Sequence, residues 1–395
     1  MTVYIVTNEP FPNGMAATGR IKCYAKAILA AGMSCEVLIF HRTEVFGKQP
    51  KNTIGFGIHE GVTFRYIGGT PLRASNVFVR KLNDIRDEIC LLRYLKKSVK
   101  QGDSIFCYYR QNPIERILLP IARKKMWKIY RDLCEYPYAT SKVDSTTEKK
   151  CKKYMTTTFR RYNGAICISQ SLLELAKKYH PQGKFIKIPI LIDNKKWDFS
   201  DVQPKKFTVP YIFHSGSLFQ QKDGIVDVLN SFSDALPKLP HGIKYYFTGK
   251  VENSVDKDLI LQTIKERHLA ENVVFLGFLS NEDLKAYIKG ASLFIIYKND
   301  NIQNKYCFAT KLGEYLLSGN PVITTNIGEA VNYLESGKNA KIVESGNRQQ
   351  LTDAIVNSIL KKDESKCIGL AGLKCAKDNF YFTSHCVLIY KFFHQ

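Results

Sequence analysis

The sequence predicts an α/β chain made of two successive open, mostly parallel sheets. Three observations predict it. At 395 residues the chain is too long for one ordinary core, so two domains are the natural division. Short apolar runs of strand length alternate with amphipathic helical stretches through both halves. The alternation breaks once, at residues 189–203, and then restarts. Pro189, Asp193, Asn194, a lysine pair and Pro204 mark that break as an interdomain connection. The expected domains are therefore 1–195 and 196–376, with an aromatic C-terminal helix in 377–395 packing back on the first.

In chain order, residues 2–7 read as an apolar strand, followed by a loop containing Pro10, Pro12, Asn13 and Gly14. A helix over 15–31 carries Ile21, Tyr24, Ala25, Ile28 and Leu29 on one face, and Gly32 stops it. Residues 35–40 form the next strand, completing a strand–helix–strand unit. Residues 41–61 read as loop. Strands are expected at 62–67, 104–109, 127–133 and 165–169, and helices at 80–100 and 171–179. After the break, strands at 211–214, 244–248, 273–276, 293–297 and 322–325 alternate with helices at 224–235, 256–267, 282–289, 310–317 and 349–360.

Composition narrows the function classes. The chain is 45% hydrophobic and 24% charged, as in globular proteins. Its start has no basic region before an apolar stretch, and no apolar run reaches the roughly 18 residues of a spanning helix. The eleven cysteines are scattered, with no C-x-x-C and no metal-ligand spacing, and read as buried free thiols of a reducing compartment. A cytoplasmic location is expected, with peripheral attachment to the inner face of a membrane as an extension of it.

Charge is uneven. Residues 1–199 hold 35 Lys+Arg against 16 Asp+Glu, whereas residues 200–395 hold 23 against 20. Basic clusters at Arg123–Lys125, Lys149–Lys153 and Arg160–Arg161 are mixed with Met126, Trp127, Tyr154 and Phe159. Such mixtures suit an anionic lipid surface or nucleic acid, or are simply a solvated basic face. No nucleic-acid motif supports the second.

The most informative segment runs from Phe308 to Val322. It reads as a loop, a short helix, a glycine stop, a proline and a buried strand. The helix start offers backbone N–H groups and a positive dipole end, where Ala309, Thr310 and Lys311 sit. A diphosphate would be held there, with Lys311 adding charge. One turn later Glu314 is placed to accept from a ribose diol. The plain alternative is an exposed helical Lys-x-x-Glu pair.

The segment resembles the donor-binding stretch of retaining GT-B glycosyltransferases of family 4, the glycosyl transferases group 1. The resemblance extends along most of the chain. Ser215-Gly216-Ser217 followed by Lys222-Asp223-Gly224 resembles the family's diphosphate loop. Phe247-Thr248-Gly249 resembles its strand-ending glycine. Val273–Leu279, with Gly277, Phe278 and Leu279, resembles the strand and loop that hold the nucleobase. Ile168–Ser171 and Ile188–Asp193 resemble the last N-domain strand and the entry to the linker. Asn13-Gly14-Met15, with Arg20 beyond, occupies the place of the N-terminal glycine loop.

The resemblance implies two Rossmann-like domains facing across a cleft, a nucleotide-sugar donor and retention of configuration. It implies donor contacts at Gly14, Gly216, Ser217, Gly249, Phe278, Leu279, Tyr306, Ala309, Thr310 and Glu314, with Lys222 and Lys311 on the departing diphosphate. The chain departs from the pattern in three places. Tyr306 stands where many members have a first glutamate, and Ser217 where many have arginine. The usual N-domain histidine has no clear match, and Glu135 is assigned a role there towards acceptor or sugar. No metal or other cofactor is expected, because the cationic phosphate site replaces one. Asp256-Lys257-Asp258, a pattern used elsewhere for metal-bound sugar nucleotides, reads instead as helix capping.

The expected function is transfer of a sugar from a nucleotide-sugar to a glycan or lipid-linked acceptor in lipopolysaccharide, capsule or exopolysaccharide assembly. The expected partners are those two substrates and an anionic membrane surface, without nucleic acid. A sugar-nucleotide 2-epimerase and a non-catalytic sugar-nucleotide-binding protein of the same fold are the alternatives. A dinucleotide dehydrogenase does not fit, since no G-x-G-x-x-G follows the first strand.

Overall fold

The computed structural model describes residues 1–139, 144–216 and 218–394. The chain forms two bodies. One comprises Met1–Tyr138, Asp144–Asp193 and the segment from Tyr381; the other comprises Asn194–Phe380.

The first body follows the path β1 (Thr2–Thr7), α1 (Ala16–Ala30), β2 (Ser34–Ile39), β3 (Phe56–His59), β4 (Val62–Tyr66), α2 (Val77–Ser98), β5 (Ser104–Tyr108), α3 (Glu115–Lys124), β6 (Lys128–Leu133), α4 (Ser145–Thr157), β7 (Gly164–Cys167), α5 (Gln170–Tyr179) and β8 (Lys184–Lys187). Its sheet order is β3-β4-β2-β1-β5-β6-β7-β8, parallel except at the β3–β4 edge. Every residue of β5 is buried, as expected of a central parallel strand covered on both faces.

The second body continues with β9 (Tyr211–His214), α6 (Gln220–Asp223), α7 (Ile225–Ala235), β10 (Lys244–Phe247), α8 (Lys257–Glu266), β11 (Val273–Phe275), α9 (Asn281–Gly290), β12 (Leu293–Ile296), α10 (Ile302–Tyr306), α11 (Thr310–Leu317), β13 (Val322–Thr325), β14 (Lys341–Val343), α12 (Arg348–Leu360) and α13 (Lys362–Phe380). Its parallel sheet has the order β11-β10-β9-β12-β13-β14. This is the doubly wound order, in which the strand sequence reverses between β9 and β12.

Each sheet is covered by apolar helix faces. In the first body Tyr24 meets Phe106 edge-on at 5.1 Å. The last helix, α14 (Cys386–His394), returns to this same core. Phe393 packs edge-on to Phe106 at 5.6 Å, and Phe392 lies 4.7 Å from Tyr130. In the second body Leu229, Phe232 and Ile355 cover one face of the sheet. Tyr315 of α11 stacks on Phe294 of β12 at 4.1 Å, which seats α11 against the strand ends.

Four sequence expectations change. The loop over 41–61 contains β3, an edge strand paired with β4 through its backbone. Its Phe56 and Ile58 are exposed, so no burial pattern announces it. Second, the aromatics among the basic clusters point inward: Trp127, Tyr154 and Phe159 are buried, and only Met126 is exposed. Those clusters are solvated charge without an apolar component at 149–153 and 160–161. Third, Asp256 does not cap its own helix α8. Its carboxylate accepts instead from the Gln220 N–H at 2.8 Å, fixing the start of α6. Fourth, the cysteines are free thiols but not all buried; Cys367 is exposed. Among the described residues no helix is long and apolar enough to cross a membrane.

Candidate functional site

In open α/β sheets ligands bind beyond the carboxyl ends of the strands, where the strand order reverses. In the second body that point lies after β9 and β12. The chain leaves β9 through Ser215 and Gly216, and leaves β12 through Tyr297 and Lys298.

Gly216 has φ +114°, a conformation that side chains rarely adopt. A methyl group there would sit 2.3 Å from Lys311 Cε. The lysine stem therefore lies directly over the glycine backbone, and its ammonium donates to His214 Nε2 at 3.4 Å. The neighbouring backbone is fixed on both sides. Ser215 N–H donates to the Tyr315 hydroxyl at 2.7 Å, and Gly216 N–H to Thr248 Oγ1 at 2.9 Å. Gly249 continues the same shelf, its N–H donating to Gly277 O at 2.7 Å. Phe278, just beyond, is exposed, and Leu279 is half-buried. Ser217 lies outside the described residues.

Lys311 is the second residue of α11. Among the described residues no side chain caps that helix. Its first N–H groups and its positive end are therefore left for an anion. Thr310 and Ala309 sit at this end, half-buried. Burial pushes the Lys311 ammonium below its ordinary value; Lys298 and Lys222 push the same way, while Asp223 and Glu314 oppose them. Glu314, one turn on, is desolvated as well. Burial drives its carboxyl up to about 7 against the pull of Lys196 and Lys311.

A buried ion pair braces the site from beneath. Lys298 Nζ lies 2.8 Å from Asp223 Oδ1, and both side chains are about nine-tenths buried or more. Burial opposes the Asp223 charge, but Lys298, Lys311 and His214 outweigh it and hold the carboxyl far below its usual range. Lys298 also donates to the Lys222 carbonyl at 3.1 Å. Asn299 donates to Gln220 O and Asn301 to Gln221 O, at 2.7 and 2.8 Å. The loop after β12 thus grips each of the α6 carbonyls that precedes Asp223. Gly224, at φ +54°, then turns the chain into α7 where a side chain would strike Tyr297.

The structure brings Gly216, Lys222, Gly249, Lys311 and Glu314 into this neighbourhood, with Thr310 at the same helix end. Tyr306 is the last residue of α10, half-buried. Sequence reasoning missed Lys298 and His214, and gave Asp223 no role. Their signal is position: each is a polar residue at or next to the end of a buried strand or turn.

The first body carries Gly14 and Glu135. Gly14 lies in the loop before α1, where a methyl group would meet Thr18 Oγ1 at 2.0 Å. Arg20 is not free for a ligand. It is buried against Asp132, donates to the Tyr24 hydroxyl, and also donates to Pro189 O and Ile188 O. Glu135 follows β6 and pairs with Arg110, which follows β5, at 3.2 Å. Glu9, after β1, joins them. Burial raises its carboxyl, with Glu135 adding to the rise and Arg110 opposing it. Glu9 and Arg110 also escaped sequence reasoning. Among the described residues no cluster of His, Cys, Asp or Glu has the makings of a metal site.

Residues 209–360 match the family model of glycosyl transferases group 1. No curated protein matches the sequence. Solved structures match over nearly the whole chain. Sucrose-phosphate synthase from Thermosynechococcus elongatus is 12% identical with a TM-score of 0.73, covering 99% of this chain and 97% of that one. Anabaena HepE in complex with UDP-glucose is 13% identical with a TM-score of 0.65, covering 98% of each chain. A variant of S. aureus TarM in complex with Fondaparinux, alpha-GlcNAc-glycerol and UDP is 12% identical with a TM-score of 0.69, covering 100% of each. At these identities the likeness is one of fold. Residues 209–360 thus resemble the glycosyl transferases group 1, and the chain as a whole has the GT-B fold.

Proposed function

We propose that the chain is a retaining, metal-independent glycosyltransferase that moves a sugar from a nucleotide-sugar to a glycan or lipid-linked acceptor in cell-surface polysaccharide assembly. One observation carries this reading: the Lys311 ammonium lies over the Gly216 backbone at an uncapped helix start. That arrangement suits a diphosphate whose negative charge grows as it departs. Solved structures of the same fold hold UDP or UDP-glucose, which supports the donor class.

In the proposed reaction the bond between the anomeric carbon and the phosphate oxygen breaks, and its electron pair stays on the diphosphate. The acceptor hydroxyl attacks the same face of the sugar, and its proton passes to a diphosphate oxygen. No side-chain base is then required. Lys311, Lys222 and the first N–H groups of α11 stabilise the leaving group. Glu314 accepts from the ribose hydroxyls, and Gly249, Phe278 and Leu279 border the nucleobase. Tyr306, Ala309 and the Gly14 loop take the sugar and phosphate end, and Glu135 the acceptor or sugar.

The test is a melting-temperature screen with UDP-, GDP- and ADP-sugars, followed by turnover of whichever stabilises the fold. A stabilising donor that is hydrolysed slowly, or transferred with retention, supports the reading. No stabilisation by any donor rejects it. Stabilisation without turnover supports a binding protein, and a 2-epimeric nucleotide-sugar as product supports an epimerase.

A further inference from the structure

Helix α2 is built the wrong way round for a helix in water. Its buried side chains are Asp87, at its middle, and Leu91 and Leu95, in its second half. From Val77 to Arg86 nothing is buried. The helix is nevertheless well started, with the Asn76 side chain accepting from the Phe78 and Val79 N–H groups. Four large apolar side chains face outward. Phe78, Leu82, Ile85 and Ile89 are 78%, 67%, 57% and 44% exposed. Their spacings of four, three and four residues put them on one ridge.

Charge says what this ridge meets. Lys81, Arg93, Lys96 and Lys97 border it, all exposed. None of the three acids of α2 shares that exposure. Asp87 is held by Arg42 at 3.2 Å, Glu88 by His41 at 3.1 Å, and Asp84 is half-buried. An apolar ridge with a basic border and no exposed acid fits the interface of an anionic bilayer, where side chains enter the acyl boundary and cations stay at headgroup phosphates. A second copy of the chain fits worse, since it would set the same basic border against itself. The basic clusters at 149–153 and 160–161 lack the apolar component, because their aromatics are buried.

Position agrees with use. The free half of α2 lies at the carboxyl end of the first sheet: Asp87 packs against Gly68, just after β4, and reaches Arg42, just after β2. The other end of α2 lies at the strand starts, where Tyr94 donates to Glu36 and the Ser98 carbonyl accepts from Tyr4. The carboxyl end is where an open α/β sheet takes its ligand.

We propose that the Phe78–Ile89 ridge of α2 docks the protein on an anionic phospholipid surface. This deepens the lipid-linked acceptor reading and rests on it only for its purpose, because the test needs neither donor nor acceptor. The full chain is sedimented with phosphatidylcholine vesicles, with and without about one third phosphatidylglycerol, at low and moderate salt. Binding should require the anionic lipid. The triple variant Phe78→Ser, Leu82→Ser, Ile85→Ser should lose about tenfold or more in partitioning. It should keep its melting temperature, since these side chains are exposed. Arg93→Glu with Lys97→Glu should weaken binding at low salt. A wild-type chain that ignores anionic vesicles overturns the proposal, as does a triple variant that binds unchanged. An equal loss in Lys149→Gln with Lys150→Gln assigns binding to diffuse charge and overturns the ridge. A wild-type dimer that the triple variant dissociates, without vesicle binding, assigns the ridge to a second copy instead.

Discussion

The two bodies share a winding but not a chemistry at the point where their strand order reverses. In the second body two ammonium groups, Lys298 and Lys311, with His214 beside them, surround the buried Asp223 carboxylate. In the first, two carboxylates, Glu9 and Glu135, share one exposed arginine, Arg110. By charge the cationic arrangement of the second body suits an anion, and the acidic one of the first body suits hydroxyl groups better. The topology supplies only the place, and the residues that follow each strand supply the ligand class. The ion pairs differ as much as the charges. Asp223–Lys298 is sealed, whereas Arg110 is 75% exposed.

That contrast sets the largest expected effect. Lys298→Met removes the ion pair that chiefly offsets the burial of Asp223 and should cost about 3–5 kcal/mol. Arg110→Ala removes an exposed pair and should cost less than about 1 kcal/mol. Urea melts of both variants measure the difference. The double variant Lys298→Met, Asp223→Leu should recover most of the loss, because a matched apolar pair replaces a buried charge that has lost its ion-pair partner Lys298. Equal costs for Lys298→Met and Arg110→Ala would break the comparison.

Next comes Lys311. Its ammonium is already disfavoured by burial and by Lys298 and Lys222. Lys311→Ala should therefore leave the fold as stable or more stable. It should lower donor turnover by about a hundredfold or more, since the lost charge acts where the diphosphate departs. Melting and turnover are measured on the same sample. A variant that loses stability in proportion to activity would make Lys311 a structural residue and remove the contrast with Lys298.

The sequence carries some of these features openly and hides others. Strands such as Tyr211–His214 and Leu293–Ile296 are legible because both faces are buried, so the apolar run is continuous. Lys311 and Glu314 are legible because helix start, charge and glycine stop lie within ten residues. Lys298 and Asp223 are not, since their meaning lies in a contact 75 residues apart in sequence. Helix α3 was hidden by Pro120 in its interior. Edge strand β3 buries neither Phe56 nor Ile58. The ridge of α2 is helical in the sequence, but its orientation appears only once Leu91 and Leu95 show which side faces the sheet.

The smallest expected effect is also the most specific to the second body, because it depends on one proton. The Glu314 carboxyl ordinarily titrates at 4.5 and is driven up to about 7 in the fold. The folded state thus binds this proton more tightly than the unfolded chain. The contribution to stability is present below pH 4.5 and is lost as pH rises to about 7, beyond which it is flat. Glu314→Gln should abolish that fall. Donor binding should run the opposite way, because ribose hydroxyls donate to the carboxylate and only the ionised form accepts both. If the protonated form does not bind, donor affinity should rise about tenfold from about pH 6 to about pH 8, following the ionised fraction. In Glu314→Gln the affinity should be weaker at the upper end and nearly flat. Calorimetric titration of the donor across that range measures both curves. Parallel curves for the two proteins would move the ribose contact away from Glu314, leaving Lys311 and the start of α11 to hold the nucleotide by its diphosphate alone.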